Sequence, residues 1–124
     1  MKILEGLNFL VVEDDEMLRH LLREIFEENG ARVTEAKNGV IAFSLVQTNR
    51  FDVVLSDVRM PDGDGLTLAK RISELVGDKP AVFICSGFND LTAESAQQLN
   101  ILKVFEKPFE QKTMIDEIYR RLGR

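Results

Sequence analysis

The chain has 124 residues, 44% of them hydrophobic and 30% charged, which is one domain's length with enough apolar material for a buried core and excludes general disorder. Its 16 Lys and Arg against 21 Asp and Glu leave a formal charge of −5, which is not the electrostatic footprint of a nucleic-acid binder. The lone cysteine, Cys85, has no internal disulfide partner, no basic segment with an apolar run opens the chain, and the longest apolar stretches fall well short of the roughly 20 residues of a membrane span. A reducing, cytoplasmic setting without membrane contact is expected.

Residues 8–12 (NFLVV) read as a first strand, leaving residues 1–6 outside the folded core. An acidic run, Glu13 to Glu16, follows. Met17, Leu18, Leu21, Leu22, Ile25 and Phe26 then recur at helical spacing and predict a helix with one buried face. Residues 31–36 (ARVTEA) form a second strand, and Asn38 N-caps a helix to about Thr48. The third strand is predicted at residues 53–56 (VVLS). The next helix runs over residues 65–76 and carries Leu66, Leu68, Ala69, Ile72 and Leu75.

A fourth strand is read at residues 81–85 (AVFIC), and a more polar helix at residues 91–100 carries Leu91, Ala96 and Leu99. Residues 103–106 (KVFE) form the fifth strand. A last helix is marked by Met114, Ile115, Ile118, Tyr119 and Leu122, with Glu110, Asp116, Glu117, Arg120 and Arg121 on an outer face open to a docking partner. Gly30, Gly39 and Gly77 fall at helix ends. Strict alternation of strand and helix implies an α/β doubly wound parallel sheet of five strands, with right-handed crossovers and helices on both faces. The expected organisation is one domain over residues 1–124 with its core at about 8–122.

Such sheets bind ligands outside the carboxyl ends of their strands. Those ends carry Glu13, Asp14 and Asp15 on the first strand, Ser56 and Asp57 on the third, Cys85, Ser86 and Gly87 on the fourth, and Glu106, Lys107 and Pro108 on the fifth. With strand order 2-1-3-4-5, Asp14 and Asp57 face each other across a crevice. Clustered carboxylates repel unless a cation sits among them, and a hard oxygen donor set suits Mg²⁺. A divalent metal, the Lys107 ammonium and the Ser86 hydroxyl around one carboxylate would neutralise a phosphoryl group moving onto it.

Plainer roles compete at several positions. Asp15 and Glu16 suit a helix N-terminus, where acids are favoured. The DGDG at residues 62–65 is a tight turn rather than a calcium loop, because Thr67 and Ser73 occupy the sixth and twelfth positions where Gly and Glu are needed. His20 lies off its helix's apolar stripe and reads as an exposed spectator, and Cys85 as a buried small hydrophobe. Lys107 alone would pass for a surface lysine; its place beside three acids assigns it to the site.

LVVEDDE at residues 10–16, SDVRMPDGDGL at 56–66, CSG at 85–87 and EKPF at 106–109 resemble, in order and spacing, the four landmarks of the receiver domain of bacterial two-component response regulators, a chemotaxis-regulator-like, flavodoxin-like (βα)5 fold. The resemblance spans about residues 9–122. It implies that Asp57 is the phosphoacceptor, served by a sensor histidine kinase or a histidine phosphotransfer protein. It implies that Glu13, Asp14, Asp57 and the backbone carbonyl of Arg59 hold Mg²⁺, Glu13 through water. Ser86 would hydrogen-bond the phosphoryl group, Lys107 would pair with it, and Pro108 would follow a cis peptide that aims the lysine. Phosphorylation would shift the Ser86 loop and alter the face of the fourth helix, fifth strand and fifth helix, where a downstream protein effector would bind; the state is a monomer or a weak, phosphorylation-dependent dimer.

The chain departs from that family at three places. The position three residues before Lys107, usually aromatic, is Val104, and Phe105 should point to the opposite face of its strand unless a bulge intervenes. Ser86 stands where Thr is more usual, and Gly87 where Ala is common. Arg59 and Phe88, each two residues beyond a site residue, are expected to tune phosphoryl lifetime at the rim. The expected role is a switch rather than a metabolic enzyme: no helix-turn-helix or catalytic segment follows Leu122, so output is protein–protein if the chain is whole, and the effector is missing if it is a fragment. Two alternatives stand beside it, a pseudoreceiver working without phosphate and an aspartyl-phosphate phosphatase, which needs a general acid where this chain has Arg59.

Overall fold

The computed structural model describes residues 2–87 and 93–123. Its elements alternate as β1 (Asn8–Val12), α1 (Glu16–Glu28), β2 (Arg32–Ala36), α2 (Gly39–Thr48), β3 (Val53–Asp57), α3 (Gly65–Ser73), β4 (Ala81–Ser86), α4 (Ala93–Gln98), β5 (Ile101–Glu106) and α5 (Gln111–Arg121). All neighbouring strands are parallel, in the order β2-β1-β3-β4-β5. This is the doubly wound arrangement expected from the alternation.

Strand residues take turns serving two cores. Phe9, Val11, Val53, Leu55, Phe83, Cys85 and Phe105 pack with Leu22, Ile25 and Phe26 of α1 and Met114, Ile115 and Ile118 of α5. Leu10, Val12, Val54, Val82, Ile84 and Ile101 pack on the other face with α2, α3 and Ala96 of α4. Burial on both faces is why β1, β3 and β4 are almost uninterrupted apolar runs. Those strands fix the sheet's centre, and their carboxyl ends emerge together.

Several expectations are corrected. The apolar stripe of α1 is narrower than its periodicity implied, with Met17 85% and Leu21 49% exposed. Leu4 belongs to the first core at 0% exposure, and its N–H donates to the Asn29 carbonyl at 2.8 Å, so the segment before β1 is packed rather than appended. The turn after α1 admits it through Gly30 at φ 100°, where a Cβ would come within 3.0 Å of the Glu5 backbone. Helix α3 stops at Ser73, leaving Val76 in solvent. Glu110 is the N-cap of α5 rather than part of its outer face, accepting from the Thr113 N–H at 2.7 Å. Leu91 and Phe88 lie outside the described residues.

Strand β5 begins two residues before the expected Lys103. Its register with β4 slips, Val82 opposite Ile101 but Phe83 opposite Lys103, so one residue is inserted at its start. Ile101 and Val104, three apart, therefore share a face. Beyond the bulge normal alternation resumes, and Phe105 points into the first core, its ring 6.1 Å from that of Phe83.

Candidate functional site

The parallel register brings Val12 level with Ser56, Asp57 level with Cys85, and Ser86 level with Glu106. The residues just beyond these levels make the site. Carboxylate oxygens of Glu13, Asp14 and Asp57 lie within 4.8 Å of one another, with Glu13 buried, Asp14 exposed and Asp57 between. Lys107 Nζ reaches in from the end of β5, 3.2 Å from Asp57 Oδ2 and 3.3 Å from Glu13 Oε1. Its own N–H donates to the Ser86 carbonyl at 2.8 Å, which ties the lysine to the buried end of β4, and the peptide to Pro108 is cis.

Local bonds hold each acid. Asp57 Oδ1 accepts from the Val58 N–H at 2.8 Å, and Glu13 Oε2 from the Asp15 N–H at 3.1 Å. Asp15 itself is the N-cap of α1, accepting from the N–H groups of Met17 and Leu18, so it organises the helix and leaves Glu13 and Asp14 to the crevice. Burial pushes the Glu13 carboxyl up to about 7, helped by its bond with Asp14 and the charge of Asp57 and opposed by the Asp15 N–H and Lys107. Burial alone would lower Lys107, but the Glu13 and Asp57 charges outweigh it and keep the ammonium firmly protonated.

This donor set fits a small hard cation. Three carboxylates converge on one point, one of them is buried at a charge it resists carrying alone, and one ammonium is too little to balance them. The expected residues Glu13, Asp14, Asp57, Ser86 and Lys107 thus gather at one edge, and Arg59 stands exposed two residues past Asp57. Burial pushes the Cys85 thiol up to about 12, which makes it an inert core residue. His20 is half exposed, as its place off the stripe implied, and rests 3.3 Å from Glu35.

Three residues contribute through contacts that no motif reveals. Ser56 is buried and donates to the Asp57 carbonyl at 2.8 Å. Gly65 packs so tightly on that carbonyl that a Cβ would sit 2.1 Å from the oxygen; the glycines of DGDG were visible, but not what they abut. Arg19, one turn into α1, donates to the Glu13 carbonyl at 3.0 Å, and a lone arginine on a helix carries no sequence signal for that contact.

Residues 9–119 match the response regulator receiver domain family. The chain is 33% identical over 114 residues to the response regulator receiver protein CpdR of Brucella abortus, covering 91% of this chain and 94% of that one. It is 34% identical over 110 residues to sporulation initiation phosphotransferase F of Bacillus subtilis, covering 88% and 85%. Its fold superposes on the receiver domain of the Francisella response regulator 1452 with a TM-score of 0.85 at 28% identity, covering 96% and 98%. The chain therefore belongs to the receiver domains of two-component response regulators.

Proposed function

We propose that this chain accepts a phosphoryl group on Asp57 and passes the signal on by protein contact, residues 1–124 acting as a single cytoplasmic switch. The observation that carries this is the Asp57 carboxylate with the Lys107 ammonium at 3.2 Å and carboxylate oxygens of Glu13 and Asp14 within 4.8 Å. In the transfer, a carboxylate oxygen of Asp57 attacks the phosphorus of a phosphohistidine, the P–N bond breaks, and the imidazole of the kinase or phosphotransfer protein leaves with the bonding pair. Lys107 pairs with the incoming phosphoryl oxygens, and the Ser86 hydroxyl donates to them. Glu13, Asp14, Asp57 and the Arg59 carbonyl are the residues that would hold Mg²⁺, which supplies charge neutralisation to the phosphoryl group.

Hydrolysis reverses the state: water attacks phosphorus and returns the Asp57 carboxylate with release of inorganic phosphate. Arg59, exposed two residues beyond Asp57, is the side chain we assign to limiting the approach of that water; replacing it changes the dephosphorylation rate, and an unchanged rate would remove this role. The chain is a switch rather than a turnover enzyme, because the position two beyond Asp57 offers no carboxylic acid to protonate a leaving group. The functional test is a panel of autophosphorylated histidine kinases with labelled phosphoryl groups. One or more should transfer label to the chain in the presence of Mg²⁺; transfer from none, alongside no labelling by a small phosphoryl donor, would favour a phosphate-independent pseudoreceiver.

A further inference from the structure

Glu13 is bonded at each of its polar groups. Its N–H donates to the Ala36 carbonyl at 3.0 Å, its carbonyl accepts from Arg19 Nη1 at 3.0 Å, and its carboxylate oxygens meet the Asp15 N–H and Lys107 Nζ. The Arg19 contact differs in kind from the others. It falls on the carbonyl of the peptide that joins Glu13 to Asp14, so it fixes the plane of that peptide and with it the relative directions of the two carboxylates.

Arg19 is itself anchored. Its Nε donates to Glu35 Oε1 at 2.8 Å, and Glu35 lies on β2 level with Val11, two residues before Glu13. The other Glu35 oxygen takes a bond from Arg23 Nη1 at 2.9 Å. The Arg19 and Glu35 side chains are only 15% and 16% exposed. A planar guanidinium that bonds two fixed acceptors has little freedom left, which suits it to hold geometry rather than to titrate or move. Glu35 also balances the arginine's charge, which would otherwise oppose a cation held by the neighbouring acids.

We propose that Arg19 is a positioning residue for the Glu13–Asp14 pair, anchored and charge-balanced by Glu35. The inference rests on the Mg²⁺-dependent reading of the site. Its test is calorimetric titration of the full chain with Mg²⁺, paired with amide hydrogen exchange of the metal-free chain. Arg19→Ala should raise the Mg²⁺ dissociation constant roughly ten-fold or more, as loss of a residue supporting a metal ligand does, and should speed exchange at the Glu13 and Asp15 amides. Glu35→Ala, which removes both the acceptor for Arg19 Nε and the counter-charge, should shift both readouts in the same direction, and decides the matter if Arg19→Ala does not fold. Arg23→Ala, which removes bonds to Glu35 and Glu27 but none to Glu13, should leave Mg²⁺ affinity at the wild-type value.

Wild-type affinity and wild-type protection in both Arg19→Ala and Glu35→Ala would overturn the proposal, reducing the network to a staple between α1 and β2. A wild-type chain that takes up no Mg²⁺ would instead bring down the metal-dependent reading beneath it. The metal-free exchange at Glu13 and Asp15 keeps the two failures apart.

Discussion

Glu13 is buried at 2% exposure and close to two other carboxylates, and its carboxyl is pushed from 4.5 up to about 7 chiefly by that burial. The consequence for stability has a definite sign. Between those two values the unfolded chain has lost the Glu13 proton while the folded chain keeps it, so the folded state binds more protons and stability falls as pH rises through the window. Denaturant midpoints of the metal-free chain should therefore decline across that range, Glu13→Gln should flatten the decline, and Mg²⁺ should restore stability at the upper end. A wild-type profile as flat as that of Glu13→Gln would contradict the assignment. At this scale the sequence was informative where a residue's chemistry is unusual for its position: acids and a lysine at strand ends stand out. Ser56, Gly65 and Arg19 did not stand out, because each acts through a backbone carbonyl three-dimensionally adjacent to it, and a carbonyl leaves no mark in a sequence.

Among the elements, α1 shows how one acidic run is divided between helix and site. Asp15 caps the helix through its side chain while its N–H holds Glu13, so Asp15→Ala should lower stability by about 1 kcal/mol in thermal or denaturant unfolding yet keep the backbone bond and most of the Mg²⁺ affinity. A loss of Mg²⁺ binding as large as that in Asp14→Ala would show that the side chain belongs to the site. The central strands were legible because burial on both faces makes them almost wholly apolar; the start of β5 was not, because it is an edge strand whose inserted residue breaks the alternation at Ile101 to Lys103. The apolar periodicity of α1 overstated its buried face, since Met17 and Leu21 lie at the margins of the stripe where the sheet no longer covers them.

In the molecule as a whole, the two faces of the sheet send neighbouring residues of β5 into different cores. Val104 lies toward α4 on the second core, whereas Phe105 is fixed in the first core beneath α5, stacked with Phe83. Phe105 is thus a packing residue on the face of β5 opposite Val104. Phe105→Ala should cost about 3–5 kcal/mol in stability and leave phosphorylation of the folded fraction intact; loss of phosphorylation without loss of stability would contradict that placement. The central claim, that Asp57 is the phosphoacceptor of a Mg²⁺-dependent switch, is tested most directly by intact-mass measurement after incubation with acetyl phosphate. The wild-type chain should gain one phosphoryl mass with Mg²⁺, none after chelation, and none in Asp57→Ala; an adduct that persists in Asp57→Ala, or a wild-type chain that gains none, would contradict it.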